Sequence, residues 1–301
     1  MQLGMIGLGR MGANMARRLH RGAHAVVGFD PSPQAREALA AHGIDAVASL
    51  EALAARCDTP RVLWMMVPAG AVVDATIAAL QPLLSPGDLL VDGGNSHYRD
   101  SQRRAQALQA DGIDYVDVGT SGGVWGLEEG YCLMAGGEAA AVERLAPVLR
   151  SLAPQADRGW ARVGPAGAGH YAKMIHNGIE YGMMQAYAEG FAILERRGDL
   201  VPDLAGLAEL WRHGSVVRSW LLDLSAAALQ DNPRLDGIAP WVPDSGEGRW
   251  TVAEAIDLDV PAPVITQSLI ERLRSREDNA FADRMLSAMR GAFGGHGVKS
   301  A

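Results

Sequence analysis

The sequence predicts an N-terminal α/β domain followed by an all-α domain, and three observations carry that reading. Up to about residue 163, short apolar runs alternate with helix-patterned segments, which is the pattern of βαβ units around a mainly parallel sheet. From His170 onward strand signals largely vanish and the apolar spacing is helical. Between the two patterns, the stretch from Gly159 to Gly169 is rich in glycine and contains Pro165, as a boundary segment does. These observations divide the chain into domains at 1–163 and 164–301, and 301 residues suit two domains of about 100–200 residues each.

In the first half, strands are expected near 2–6, 25–29, 61–66, 89–92 and 115–118, with a weaker one at 131–135. Helices are expected at 11–21, 34–42, 71–83, 101–110 and 138–153, several of them starting after Ser, Asp or Pro, which are ordinary start signals. In the second half, helices are expected at 170–197, 204–213, 215–230, 251–256, 263–276 and 281–290. The segment 231–248, dense in Pro, Gly and Asp, reads as a loop.

The composition, 48% hydrophobic and 21% charged, is that of a globular chain and excludes disorder, collagen and coiled coil. With 27 Lys and Arg against 35 Asp and Glu, the formal charge of −8 gives no overall encouragement to a nucleic-acid or anionic-membrane partner, although a local basic site for a small anion is compatible with it. The longest apolar stretch, 62–73, contains Pro68 and is well short of the roughly 20 residues that cross a bilayer, so no membrane span is expected. The start reads as a strand rather than a signal peptide. Cys57 and Cys132 have neither disulfide-framework nor metal-ligand spacing and read as buried small apolar side chains, which points to a reducing cytoplasm; no residue constellation demands a metal. His97 and His213 read as surface or capping residues.

Gly7-Leu8-Gly9-Arg10-Met11-Gly12 is a G-x-G-x-x-G motif placed between a strand and a helix at the start of a βαβ unit. There the first glycine permits a tight turn, the second lets backbone approach a pyrophosphate, and the third lets the helix pack close, while the helix N-terminus offers N–H groups to the anion. The expected first domain is therefore a Rossmann-type dinucleotide-binding domain. Asp30 follows at the end of the second strand, where a carboxylate accepts hydrogen bonds from the ribose hydroxyls and repels a 2′-phosphate, so NAD is favoured over NADP.

Lys173, His176, Asn177, Glu180 and Tyr181 follow the i, i+3, i+4, i+7, i+8 spacing of one helix face. A solvated face is usually Glu, Lys, Arg and Gln; this one mixes His, Asn and Tyr and is bordered by Met174, Ile175, Ile179, Met183 and Met184. Gly178 and Gly182 each cost about 1 kcal/mol in a helix relative to Ala, which suggests that a backbone or ligand approaches closely. A Lys and a Glu two turns apart, facing a nicotinamide site, can supply a base and an acid for oxidation of a hydroxyl followed by return of a proton.

In combination these segments resemble the 6-phosphogluconate dehydrogenases, decarboxylating members of the β-hydroxyacid dehydrogenase superfamily. The residues that carry the resemblance are Gly7 to Met15, Met66-Val67-Pro68-Ala69-Gly70, Asp92-Gly93-Gly94-Asn95-Ser96, Ser121-Gly122-Gly123 and, most specifically, the run from Lys173 to Gly182. The resemblance implies that Lys173 is the base at the 3-hydroxyl, later polarising the 3-keto group, and that Glu180 protonates C1 of the enediol. By the same resemblance His176, Asn177, Asn95 and the Ser121-Gly122-Gly123 loop hold substrate hydroxyls and carboxylate, Asn95 and Val67 also lie on the cofactor side, and Tyr181 reaches the phosphate. Arg272 aligns with a phosphate-binding arginine. The tail from Arg290 to His296 is similar to one whose Arg and His enter a neighbouring subunit's site, which implies a homodimer or homotetramer acting on a sugar-acid phosphate.

The chain lacks the second helical block of the longer members and resembles a short, often NAD-using branch. In Gly246-Glu247-Gly248-Arg249-Trp250-Thr251, Ser245 and Glu247 stand where longer members place a phosphate-binding lysine and threonine, and a carboxylate pointing inward there repels a phosphate. Two other readings remain open: a non-decarboxylating dehydrogenase of a small 3-hydroxy acid, which shares Lys173 and Asn177 but has no use for Glu180, and a non-catalytic dinucleotide sensor, which needs neither Lys173 nor Glu180.

Overall fold

The structure is a computed structural model that describes residues 1–278 and 280–294. The chain forms two compact units that divide between His176 and Asn177. In the first, the order is β1 (Gln2–Ile6), α1 (Arg10–Arg21), β2 (Ala25–Phe29), α2 (Pro33–Ala40), β3 (Asp45–Val47), α3 (Leu50–Arg56), β4 (Val62–Met65), α4 (Ala71–Leu80), β5 (Leu89–Asp92), α5 (Tyr98–Gln109), β6 (Asp114–Ser121), α6 (Gly126–Glu129), β7 (Cys132–Gly136), α7 (Ala139–Leu152) and β8 (Trp160–Gly164). The strands make one eight-stranded sheet in the order β3-β2-β1-β4-β5-β6-β7-β8. Neighbours run parallel except β6 with β7, so the expected mainly parallel sheet is found.

The central strands are buried on both faces, and their two-residue period deals side chains alternately to two cores. Leu3 and Met5 of β1, Trp64 of β4 and Val91 of β5 join Met15 and Leu19 of α1 and Leu145 and Leu149 of α7 on one face. Ile6, Leu63, Met65 and Leu90 join Leu53 of α3 and Val73 and Ile77 of α4 on the other. Met15 and Leu19, one helical turn apart, are fully buried and stabilise the unit by roughly 1.5–3 kcal/mol each. Helix starts follow the capping chemistry: Ser32 Oγ accepts from the Ala35 N–H, Ser49 Oγ from Ala52, and the His97 ring from Arg99.

Several features of this unit differ from expectation. β3, α3 and α6 lie outside the expected elements, because three residues at the sheet edge and helices of seven and four residues carry too little periodicity. β8 runs through the glycine-rich boundary; as an edge strand it is largely exposed and shows no apolar alternation. Cys57 is buried as expected, but Cys132 is exposed, because it lies on the outward face of β7, where Leu133 and Ala135 point inward.

α8 (Ala168–Arg196) begins in the first unit and continues into the second, which holds α9 (Leu204–Trp211), α10 (Trp220–Asp231), α11 (Glu247–Asp257), α12 (Pro263–Arg274) and α13 (Phe281–Gly294). The second unit is all helical, as expected. Residues 215–219 are not helical: α10 starts at Trp220, where Ser219 Oγ accepts from the Leu222 N–H. α11 starts at Glu247, inside the expected loop, because Gly246 takes a left-handed conformation (φ 101°) as its cap. Among the described residues, no helix is long and apolar enough to cross a membrane.

Candidate active site

The sheet order reverses between β1 and β4, and in open α/β sheets the crevice beyond such a reversal is where ligands bind. The three motif glycines play distinct parts there. Gly7 has φ 90°, its N–H donates to Phe29 O at 2.8 Å, and a Cβ on it would stand 2.5 Å from Met66 O. A Cβ on Gly12 would collide with Gly7 O, so α1 packs directly on the turn. Gly9 caps α1 without a side-chain acceptor, and among the described residues no atom lies within 4 Å of where its Cβ would be. The helix N-terminus therefore presents N–H groups beside open space, as a pyrophosphate requires.

Asp30 is held at the end of β2 by two donors: the Leu8 N–H to Oδ2 at 2.8 Å and the Ser32 N–H to Oδ1 at 2.9 Å. Each oxygen keeps a second lone pair for a ribose hydroxyl. Arg36, which the sequence did not single out, donates to the Asp30 carbonyl at 2.7 Å. Arg10 is exposed at the start of α1, Met11 packs on the core, and Val67 is half-buried beyond β4. The cradle at Gly9 and the oriented Asp30 carboxylate fit a dinucleotide.

The start of α8 is clasped to β6. Asp117, fully buried, accepts the N–H of Gly167 at 2.6 Å and of His170 at 2.8 Å, and burial pushes its carboxyl pKa up. One alternation further along β6, Gly119 leaves room for Lys173: a Cβ there would stand 2.6 Å from Gly169 O and closer still to Lys173 Cβ. Lys173 is thus backed by a strand and only 8% exposed. Ser121 Oγ lies 3.4 Å from His176 Nε2, which brings the expected substrate loop to the expected helix. Gly122 (φ 134°) and Gly123 (φ 51°) take positive-φ conformations that other residues rarely adopt. Asn95 is exposed on the loop beyond β5.

In the second unit, Asn177 and Tyr181 are buried and Glu180 half-buried. Of the two glycines singled out in the middle of α8, Gly178 is closely approached, since its Cβ would stand 2.5 Å from Thr251 Cγ2 of α11, whereas a Cβ on Gly182 would make only an ordinary contact, 3.4 Å from Val264 Cγ1. α11 comes just as close to Tyr181, where only Gly248 fits against the ring. The Tyr181 hydroxyl lies 3.3 Å from Ser245 Oγ, and the Arg272 guanidinium stacks 3.6 Å from the ring centroid while donating to Pro243 O at 2.8 Å. Tyr181 and Arg272 are therefore together. Glu247 is 3% exposed, and its Oε2 has no hydrogen-bond partner among the described residues. Arg290 is exposed on α13, and His296 lies outside the described residues.

Residues 2–161 match the NAD binding domain of 6-phosphogluconate dehydrogenase, and residues 169–288 match the 6-phosphogluconate dehydrogenase C-terminal domain. A Haloferax volcanii protein, "6-phosphogluconate dehydrogenase, NAD(+)-dependent, decarboxylating", is 46% identical over 99% of this chain and 98% of its own. The chain spans 64% of the longer Bacillus licheniformis "6-phosphogluconate dehydrogenase, decarboxylating", at 35% identity over 95% of this chain. Among solved structures, Plasmodium falciparum 6-phosphogluconate dehydrogenase is 25% identical with a TM-score of 0.85, covering 100% of this chain and 66% of that one. A Salmonella typhimurium 3-hydroxyisobutyrate dehydrogenase is 27% identical with a TM-score of 0.74, covering 89% and 91%. Both domain matches, in this order along one chain, and a full-length relative at 46% identity make this protein a member of the 6-phosphogluconate dehydrogenase family.

Proposed function

We propose that the protein catalyses oxidative decarboxylation of 6-phosphogluconate to ribulose 5-phosphate and carbon dioxide, with NAD as oxidant. The observation that carries the reading is Lys173, withdrawn from water, backed by Gly119, and on the same helix as His176, Asn177 and Glu180. Proton transfer needs a donor and acceptor held about 3 Å apart at a set angle, and an amine on a rigid backing meets that demand.

Gly7, Gly9, Gly12 and the α1 N-terminus hold the pyrophosphate, and Asp30 accepts from the ribose hydroxyls and repels a 2′-phosphate. Bound there, the dinucleotide would supply the hydride-accepting chemistry at C3. Lys173 takes the proton of the 3-hydroxyl and then, protonated, hydrogen-bonds the 3-keto oxygen. The C1–C2 bond breaks toward that carbonyl as C1 leaves as carbon dioxide, and Glu180 returns a proton to the former C2, which becomes C1 of the ribulose 5-phosphate product. His176, Asn177, Asn95 and the Ser121-Gly122-Gly123 loop orient hydroxyls and carboxylate, while Tyr181 and Arg272 hold the phosphate. Arg290 and His296 enter from a neighbouring subunit of a homodimer or homotetramer. The exposed Val264, Phe281, Met285, Leu286 and Met289 support burial of this unit against another copy. The compartment is the cytoplasm.

The test is NADH formation with 6-phosphogluconate, with carbon dioxide trapped, beside NADP, gluconate and 3-hydroxyisobutyrate. Release of carbon dioxide in step with NADH supports the proposal; NADH without carbon dioxide overturns the decarboxylating step. A second reading, an unphosphorylated sugar acid as substrate, is favoured by the free oxygen of buried Glu247 in the same short segment as Ser245. Turnover of gluconate alone would establish that reading instead.

A further inference from the structure

Arg104 of α5 is 2% exposed, and its guanidinium reaches three separate elements. Nε donates to Asp74 Oδ1 in α4 at 2.8 Å, and Nη2 donates to the Gly70 carbonyl at 3.2 Å. Nη1 donates to Ser96 Oγ at 3.1 Å and lies 3.5 Å from Asp92 Oδ2. Asp92, fully buried at the end of β5, also accepts from Ser96 Oγ at 2.7 Å, from the Gly94 N–H at 3.1 Å and from the Tyr115 hydroxyl at 3.1 Å. One side chain in the interior thus ties down two loops beyond adjacent strands: Val67 to Gly70 after β4, and Gly93 to Ser96 after β5.

Both loops carry residues assigned to the ligands. Val67 lies in the first, and Asn95 sits exposed in the second between Gly94 and Ser96, both of which are bonded to Asp92. We infer that Arg104 is a positioning residue, which sets the relative placement of the Val67 and Asn95 loops from beneath and through it the affinity for the dinucleotide. The inference rests on the reading that these loops face the cofactor and substrate. Its physical basis is the guanidinium fork: five donors in fixed directions reach three partners at once, which a lysine's single ammonium on a flexible stem cannot do. Asp74, the outer partner, has its carboxyl pKa lowered by the hydrogen bond from Arg104, so this leg of the fork is charged at both ends.

The experiment measures the NADH dissociation constant by fluorescence, with kcat and Tm, for the unmodified protein, Arg104→Lys, Ser96→Ala and Tyr115→Phe. Arg104→Lys keeps a positive charge near Asp92 but loses the fork, and is expected to weaken NADH binding about tenfold, or about 1.4 kcal/mol. Tyr115→Phe removes a donor to the same carboxylate without touching either loop, so Tm is expected to fall while NADH binding stays within about twofold. If Arg104→Lys lowers Tm like Tyr115→Phe and leaves NADH binding unchanged, Arg104 is structural only and the inference is wrong. Should Arg104→Lys fail to fold, Ser96→Ala keeps the charge pair and removes the bridge to the second loop; unaltered NADH binding in that variant overturns the inference equally. An unmodified protein that binds no dinucleotide refutes the reading of the loops themselves, which is a different result from normal binding in a variant.

Discussion

Replacing Gly119 by alanine tests whether β6 positions the proposed base. The new methyl would lie 2.6 Å from Gly169 O, against the 3.4 Å at which ordinary contact begins, a shortfall of about 0.8 Å; Lys173 Cβ is nearer still. Neither obstacle is the free end of a side chain: one is backbone and the other is the first carbon of a helical residue. Relief therefore requires the start of α8 to move off the sheet by most of an ångström. That movement stretches the bonds that Asp117 accepts from Gly167 and His170, now 2.6 and 2.8 Å. Overpacking of this kind costs about 1–3 kcal/mol, and at about 2–4 °C per kcal/mol for a unit of this size Tm should fall by about 2–12 °C. Displacement of a base by about 1 Å lowers turnover on the order of 10²-fold. The assay is kcat with saturating substrate and cofactor beside calorimetry, with NADH binding as the control that the glycine turn is intact. A Gly119→Ala protein with unmodified kcat and Tm would show that Lys173 is not held by this contact.

The motif glycines separate in the same way: Gly9→Ala meets no atom of the described residues within 4 Å and should leave Tm within about 1 °C while weakening NAD at least about tenfold, whereas Gly12→Ala collides with Gly7 O and should destabilise the fold, both read by calorimetry and NADH titration. Lys173→Ala is expected to lower turnover by about 10² to 10⁴ with cofactor affinity nearly unchanged, and Glu180→Gln to slow proton return to C1, seen as lost exchange of solvent deuterium into the product; full activity in either removes that residue from the mechanism. Glu247→Gln should lower KM for the phosphorylated acid relative to the unphosphorylated one by a few-fold, since a carboxylate is lost beside an anion; an unchanged ratio means the carboxylate faces neither. Burial lowers the pKa of His24 below 6.5, with the nearby N-terminal ammonium adding to it, so the unfolded chain binds more protons between 6.5 and the lowered native value. Stability is then full above 6.5 and lost as pH falls through that window; a Tm profile over about pH 5–7.5 should be flatter in His24→Gln, and an identical profile would contradict this.

Much of this architecture is legible because the local signals agree with it. The glycine turn, the alternating strands and the capping serines each announce themselves within a few residues. What escaped is determined by distant partners. The start of α11 reads as a loop because Gly246 and Gly248 are poor helix formers, yet Gly248 is there to admit the Tyr181 ring. Arg104 reads as one more charge on a polar helix. Only its spacing, i+3 from buried Ser101 and i−4 from buried Leu108, places it on the inward stripe. Lys173, by contrast, stood out because its helix face mixes residue types that solvent does not favour, although its depth and its backing by Gly119 depend on a strand more than fifty residues earlier.

With Asp30 as the proposed ribose acceptor, cofactor choice is bound closely to the build of the turn. Its two oxygens are already engaged by the amides of Leu8 and Ser32, one from the glycine turn and one from the start of the next helix. Exchanging Asp30 for a small neutral residue to admit a 2′-phosphate would leave the Leu8 amide without its acceptor at the very loop that cradles the pyrophosphate. A redesign toward NADP by that single change therefore loosens its grip on both dinucleotides. A viable route keeps an acceptor at position 30, such as asparagine, and recruits the neighbouring Arg36 guanidinium, now spent on the Asp30 carbonyl, as the new phosphate's partner.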